Sequence, residues 1–413
     1  MLNGELMGRR DRLRLVLVLG SLIAIGPLTI DMYLPALPAI TAGLETTDTA
    51  VQLTLTGTLI GLALGQLLIG PLSDAYGRRA PLLAGLALHV VASVLCVVAP
   101  NVGVLGTLRV LQGIGIAASS VVTLAVVRDL FTGRAFASLF SQLMLVMGVA
   151  PILAPTLGGA LLGWTDWRGV FVALAVFGVL LLGVAALRME ETLPAARRRP
   201  AGLRATLRGY GQLARDRTFV GLVFVAGLSM AALFGYVAGS SFVLQDEFGL
   251  SEQEFAIVFG AGAIGLIGAS QINVRLLRRY SPQRILVAAL TIGSAGGAVL
   301  LTFAATGFGG LTTLLASLWL VLTAAGLALP NAPALAMSRH GEAAGTAAAL
   351  LGAVQFGVGA VAAPTVGLLG NGRVAMAVVM LAGLTGATAV LLTVVRPARL
   401  EAADPAAVPV AVH

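Results

Sequence analysis

Of the 18 acidic residues in this chain, only Asp31 lies well inside a long apolar run; the others sit in loops, in the termini or at helix ends. A carboxylate in lipid costs a few kcal/mol or more and marks a functional site by default. Withdrawn from water, a carboxyl group holds its proton more readily, so it can bind and release protons near neutral pH and attract a cation. Asp31 follows Arg14 by 17 residues. At about 1.5 Å of helix per residue it stands about 25 Å from the end that Arg14 marks. The competing role is structural, a cap on a helix break ahead of Pro35 and Pro38.

Arg109 is the only base inside an apolar run, and Gln112, Gly113 and Gly115 follow it on the same helix. Small residues let a neighbouring helix come close while polar groups turn inward. The alternative is a long side chain that snorkels to the membrane surface. Asp31 and Arg109 fall in the same half of the membrane, so an ion pair is expected, direct or through water. Tyr33 and Tyr236 are candidate contacts for an aromatic ligand, against the commoner use of tyrosine as an interface anchor.

Other chemistries lack their residues. All 26 basic residues are arginine, which removes the lysine of a Walker A loop and of Schiff-base enzymes. One cysteine, Cys96, excludes an intramolecular disulfide, and His89, His340 and His413 have no metal-ligand spacing. No metal and no cofactor is expected. The net charge of +8 does not point to nucleic acid, because the arginines sit in short loops between apolar spans.

The elements that must hold these residues are membrane helices. The 413 residues are 58% hydrophobic and 11% charged, with a mean hydropathy of +0.97, outside the range of soluble domains. Apolar runs between polar breaks give twelve spans, at 14–38, 52–71, 80–99, 104–127, 136–163, 168–187, 218–244, 253–275, 283–304, 309–333, 343–369 and 374–395. Alternate loops place 23 arginines on one side, only Arg168 and Arg373 on the other, and leave Arg109 within a span. The positive-inside rule then predicts both termini in the cytoplasm.

The longest hydrophilic stretch, 188–217, divides the chain into a first bundle at 14–187 and a second at 218–395, flanked by an N-terminus at 1–13 and a tail at 396–413. The expected fold is an all-α polytopic membrane protein of twelve transmembrane helices in two pseudo-symmetric six-helix bundles. A trace of duplication is Gly77-Arg78-Arg79 in one half and Leu277-Arg278-Arg279 in the other. Such symmetry typifies secondary transporters, whose site lies between the repeats near the midplane. The central stretch reads as a solvated linker held by anionic lipid.

The stretch Gly70-Pro71-Leu72-Ser73-Asp74-Ala75-Tyr76-Gly77-Arg78-Arg79 closely resembles the loop between helices two and three that is the signature of the major facilitator superfamily. The resemblance implies that Asp74, Gly77 and Arg78, framed by Gly70 and Arg79, stabilise one conformation of a cytoplasmic gate rather than touch substrate. Leu105, Arg109, Gln112, Gly113 and Gly115 match the family's fourth-helix pattern, whose arginine is implicated in proton coupling. Residues 150–159, APILAPTLGG, resemble the helix-five signature of drug:proton antiporters, keeping Pro151, Pro155, Gly158 and Gly159 but carrying Ala150 and Ala154 where the pattern has glycine. The run from Ile30 to Pro38 is similar to the Bcr/CflA branch, that of bicyclomycin and chloramphenicol resistance.

These resemblances imply a proton-coupled multidrug efflux transporter of a bacterial inner membrane, exporting small hydrophobic or cationic compounds by alternating access. Its partners would be a drug-like substrate, protons and the bilayer, with the chain working as a monomer. The rival is a proton-coupled carrier of one metabolite or antibiotic on the same fold. A membrane-embedded enzyme would need convergent catalytic groups that this chain lacks. In the second half, Asn331 and Gln355 could line a cavity or bond between helices. Gly57, Gly61 and Gly65, every fourth residue, read as packing within the bundle.

Overall fold

The computed structural model describes residues 9–131, 133–198, 203–338, 340 and 344–397. Residues 1–8 of the expected N-terminus, 398–413 of the tail and Arg199, Arg339 and Arg399 lie outside them. Among the described residues, twelve helical segments are long and apolar enough to cross a membrane, and every span read from hydropathy overlaps one of them.

The first half contains α1 (Arg9–Asp31), α2 (Leu37–Gly43), α3 (Asp48–Tyr76), α4 (Arg79–Val97), α5 (Val102–Leu130), α6 (Gly133–Leu162) and α7 (Arg168–Arg188). A short helix in the central segment, α8 (Leu203–Leu213), leads to α9 (Arg217–Phe242), α10 (Glu252–Leu276), α11 (Pro282–Thr306), α12 (Gly310–Ser338), α13 (Ala344–Leu368) and α14 (Arg373–Val390). Their starts carry the expected local chemistry. Thr47, Asn101 and Asp216 accept backbone N–H groups ahead of α3, α5 and α9, and Ser251 with Glu254 closes a capping box on α10.

The first crossing is interrupted. α1 ends at Asp31, a single 3-10 turn at Leu34–Ala36 follows, and α2 completes the span. Pro35 and Pro38 cannot donate to an α-helical ladder, so the run cannot continue unbroken. The break places Asp31 at α1's C-terminus, where the Thr29 carbonyl turns to a side-chain donor, Arg109.

Pseudo-symmetry shows in the packing. In the first half α1 packs on α6, α3 on α5 and α4 on α7; the corresponding pairs in the second half, α9 on α13, α10 on α12 and α11 on α14, pack likewise. The halves meet along α3–α13 and α6–α10. Gly57, Gly61 and Gly65 face α5, where a Cβ at Gly57 would sit 2.6 Å from the Gly106 carbonyl and one at Gly61 would collide with the Val110 carbonyl. They are packing residues within the bundle.

Hydrogen bonds that join the two halves directly gather at one end. Among the described residues these are Gln52 to the Ala238 carbonyl (3.1 Å) and to Asn371, Ser241 to the Leu34 carbonyl (2.7 Å), Gln245 to the Pro35 carbonyl (3.3 Å) and Gln253 to the Gly159 carbonyl (3.2 Å). All lie at the arginine-poor end. At the arginine-rich end, Tyr210 of α8 donates to the Leu67 carbonyl at 3.1 Å. That carbonyl is free because Pro71, four residues on, has no N–H to give it. On its other side α8 leans on α13, Gly209 facing Thr346.

Candidate proton and substrate site

Arg109 is completely buried and does not snorkel. Its Nη1 donates to the Thr29 carbonyl at 3.1 Å and to Gln112 Oε1 at 3.0 Å. Its guanidinium lies 4.3 Å from the centroid of the Tyr33 ring and 5.9 Å from that of Phe171. A cation over an aromatic face in a dry site gains up to about 2 kcal/mol. Nε and Nη2 have no hydrogen-bond partner among the described residues, which leaves this charge incompletely satisfied.

Around Arg109 a polar network links three helices. Gln112 donates to Ser93 Oγ (2.7 Å), Ser93 Oγ to the His89 carbonyl (2.7 Å), and His89 Nε2 lies 2.9 Å from Thr29 Oγ1. The Tyr33 hydroxyl meets Thr54 Oγ1 at 2.6 Å, so the ring beneath Arg109 is fixed from α3.

Asp31 is not part of that network. It is 7% exposed, forms no ion pair and accepts no hydrogen bond among the described residues. The direct form of the expected pairing with Arg109 is therefore absent from this conformation. The residues that meet Arg109 lie on either side of Asp31: the Thr29 carbonyl accepts from it and the Tyr33 ring lies beneath it. The alternative reading of Asp31 is half right, since the helix does break there but Asp31 caps nothing. The second half reaches the break just after Asp31, where Ser241 of α9 donates to the Leu34 carbonyl at 2.7 Å, and α9 also carries Tyr236. Tyr236 stacks on Phe259 (5.1 Å between centroids) and lines an apolar pocket of ≈ 110 Å³ with Val258, Leu318, Trp319 and Leu322. That volume holds part of a drug-sized ligand, whose sites run to about 300 Å³ or more.

A single family model, described as the Major Facilitator Superfamily, matches residues 17–364. The chain belongs to the major facilitator superfamily. Among its relatives, an uncharacterized MFS-type transporter, YdgK, of Bacillus subtilis is 39% identical over 90% of this chain and 92% of that protein. A bicyclomycin resistance protein homolog of Haemophilus influenzae is 30% identical over 84% and 87%, and a chloramphenicol resistance protein of Pseudomonas aeruginosa 30% over 86% and 83%. A D-xylose-proton symporter superposes with a TM-score of 0.70 at 17% identity, over 94% of this chain and 99% of that one, which shows the shared fold.

The superfamily's signature loop is a compact charge cluster here. Arg78 donates to Ser73 (2.8 Å) and Asp74 (2.6 Å) and, through Nε, to Asp129 at the end of α5 (2.9 Å). Glu191, after α7, accepts the backbone N–H groups of Arg78 (2.8 Å), Leu193 (2.9 Å) and Arg79 (3.3 Å). Partial burial works against the charge of Glu191, but those N–H groups and the nearby Arg198 outweigh it and hold its carboxyl below the ordinary range. Gly77 turns the chain at φ +91, and a Cβ there would collide with Glu191. Asp129 and Glu191 escaped the sequence reading because they lie 51 and 113 residues from Arg78.

The helix-five residues act through close approach. Gly158 lets α6 touch the backbone at Met32, beside the α1 break, and Gly159 meets the Glu252 carbonyl at the start of α10. Pro151 and Pro155 lie within α6. Asn331 donates to Asn273 and to the Leu327 carbonyl, both at 2.7 Å, so it joins α12 to α10 rather than lining a cavity. Gln355 is half-buried on α13 and has no hydrogen-bond partner among the described residues.

Proposed function

We propose that this transporter exports small hydrophobic or cationic compounds in exchange for protons, by alternating access between the halves 14–187 and 218–395. The observation that carries the reading is Asp31, a buried carboxylate with no cation and no donor among the described residues, set where the first crossing breaks and where Ser241 of the second half reaches the Leu34 carbonyl. An acid so placed can take a proton or a substrate cation in turn, and the two compete for one charge. Tyr236 and the apolar pocket behind it offer the hydrophobic contact such a compound needs. Arg109 stays in the first half as a fixed positive charge, and Tyr33 and Gln112 orient it.

The contacts between halves at the arginine-poor end support a state open to the arginine-rich side, which we assign to the cytoplasm with both termini. The loop from Gly70 to Arg79 holds the first half together there. The names of the bicyclomycin and chloramphenicol resistance relatives favour antibiotics over nutrients as cargo, and one chain supplies the whole site.

The test is proton movement in proteoliposomes under an imposed pH gradient, on adding tetraphenylphosphonium or chloramphenicol. Wild-type protein is expected to move protons when a compound is added, and Asp31→Asn to abolish it. Transport of a compound with full proton coupling in Asp31→Asn would reject Asp31 as the site. Silence towards both compounds would favour a carrier of one metabolite.

A further inference from the structure

His89 is a buried imidazole in the middle of an apolar helix, with no metal partner among the described residues. Its seat is built for it. Gly115 of α5 lies against one side, where a Cβ would be 2.8 Å from His89 Cβ, and Gly178 of α7 against the other, 3.3 Å from Nδ1.

The direction of its hydrogen bond follows from counting protons. The Thr29 hydroxyl has one hydrogen, and it goes to the Ile25 carbonyl at 2.7 Å. Thr29 Oγ1 must therefore accept at its 2.9 Å contact, so His89 Nε2–H donates. Nδ1 then carries the lone pair and has no partner.

This bond closes a circuit. It runs from Arg109 to Gln112, Ser93 and the His89 backbone, and returns from the His89 ring through Thr29, whose carbonyl accepts Arg109. Thr29 occupies the last turn of α1, two residues before Asp31. Resting on the exchange reading above, we propose that His89 is a positioning residue for proton coupling: by gripping the Thr29 hydroxyl it sets the rotation of α1's last turn, and so holds the Thr29 carbonyl on Arg109 and Asp31 towards the second half. Without that grip the turn can rotate. Arg109, already short of partners at two nitrogens, then loses one of its two acceptors, and the separation of Asp31 from Arg109 is no longer enforced.

The test compares His89→Leu, Thr29→Val, their combination and His89→Gln in the proteoliposome assay, with tetraphenylphosphonium binding measured on the same samples. His89→Leu and Thr29→Val should each lower substrate-driven proton flux about tenfold, the factor equivalent to one hydrogen bond of about 1.4 kcal/mol. The double variant should lose no more than either alone, and binding should be retained. His89→Gln, which can offer an amide N–H near the position of Nε2, should restore flux. Wild-type flux in His89→Leu would overturn the proposal, and so would a His89→Gln as defective as His89→Leu. Failure of wild type to move protons would instead reject the exchange reading, and the grip is then judged by itself. In 15N-histidine spectra, His89 should show a proton on Nε2 and shift in Thr29→Val; a proton on Nδ1, or no response to Thr29→Val, would overturn it.

Discussion

Replacing Gly115 by alanine tests how the Arg109 network is held. A Cβ there would lie 2.6 Å from the Gly85 carbonyl oxygen, 2.8 Å from His89 Cβ and 3.0 Å from His89 N, against ordinary contact from 3.4 Å. The closest obstacle is backbone, which cannot swing aside, so α4 and α5 must part by about 0.8 Å. Gln112, one turn away on α5, reaches Ser93 on α4 at 2.7 Å. The same displacement stretches that bond to about 3.5 Å, beyond useful range. Overpacking costs about 1–3 kcal/mol and the weakened bond about 0.5–1.5 kcal/mol, so Gly115→Ala should destabilise the protein by about 2–4 kcal/mol. The assay is the unfolding midpoint in detergent, with Gly183→Ala as the control, because a Cβ at Gly183 meets nothing within 4 Å. A Gly115→Ala midpoint equal to wild type would refute the close packing of α4 on α5 and, with it, the rigidity claimed for the network.

Gly77→Ala forces a side chain onto a φ of +91 and into Glu191; a loss of about 1–3 kcal/mol is expected in the same unfolding assay. Glu191 has a folded-state carboxyl held below the ordinary value, so the stability it gives is present above about pH 4.3 and is lost as pH falls through the lower folded value. The protection factors of amides 77–80, exchange corrected for its intrinsic pH dependence, should fall over that acidic window in wild type and stay level there in Glu191→Gln. Gln52→Leu removes two bonds between the halves and should favour opening at that end by about 1–3 kcal/mol; spin labels at Ala42 and Asp246 should report a longer distance, and an unchanged one would contradict the assignment. Tyr210→Phe should raise amide exchange across residues 203–213 by about 2- to 10-fold, the worth of one hydrogen bond.

The fold was legible because a bilayer imposes one length and one polarity on every crossing, and every arginine but Arg109 marks a loop or a terminus. The proline pair after Asp31 announced the broken first helix. That Asp31 and Arg109 make no direct ion pair was not legible, since equal depth does not fix the face of the helix on which each residue lies. His89, Ser93 and Thr29 carry no motif; their meaning comes from three helices converging, which local sequence does not encode. Within the signature loop Arg78 meets Ser73 and Asp74, five and four residues away, but its anchors Asp129 and Glu191 looked like ordinary helix-end acids.

The seam at the arginine-poor end is made wholly of neutral groups, three glutamines and a serine reaching carbonyls and an asparagine amide. Four of its five bonds end on main-chain oxygens, which every residue possesses. These five bonds themselves carry no titratable group, and they tolerate drift in the residues that accept. A membrane protein living on a proton gradient meets its largest swings of pH at such a surface. Here the bonds that close that surface are neutral, while Asp48 of the first half and Asp246 of the second interact across it.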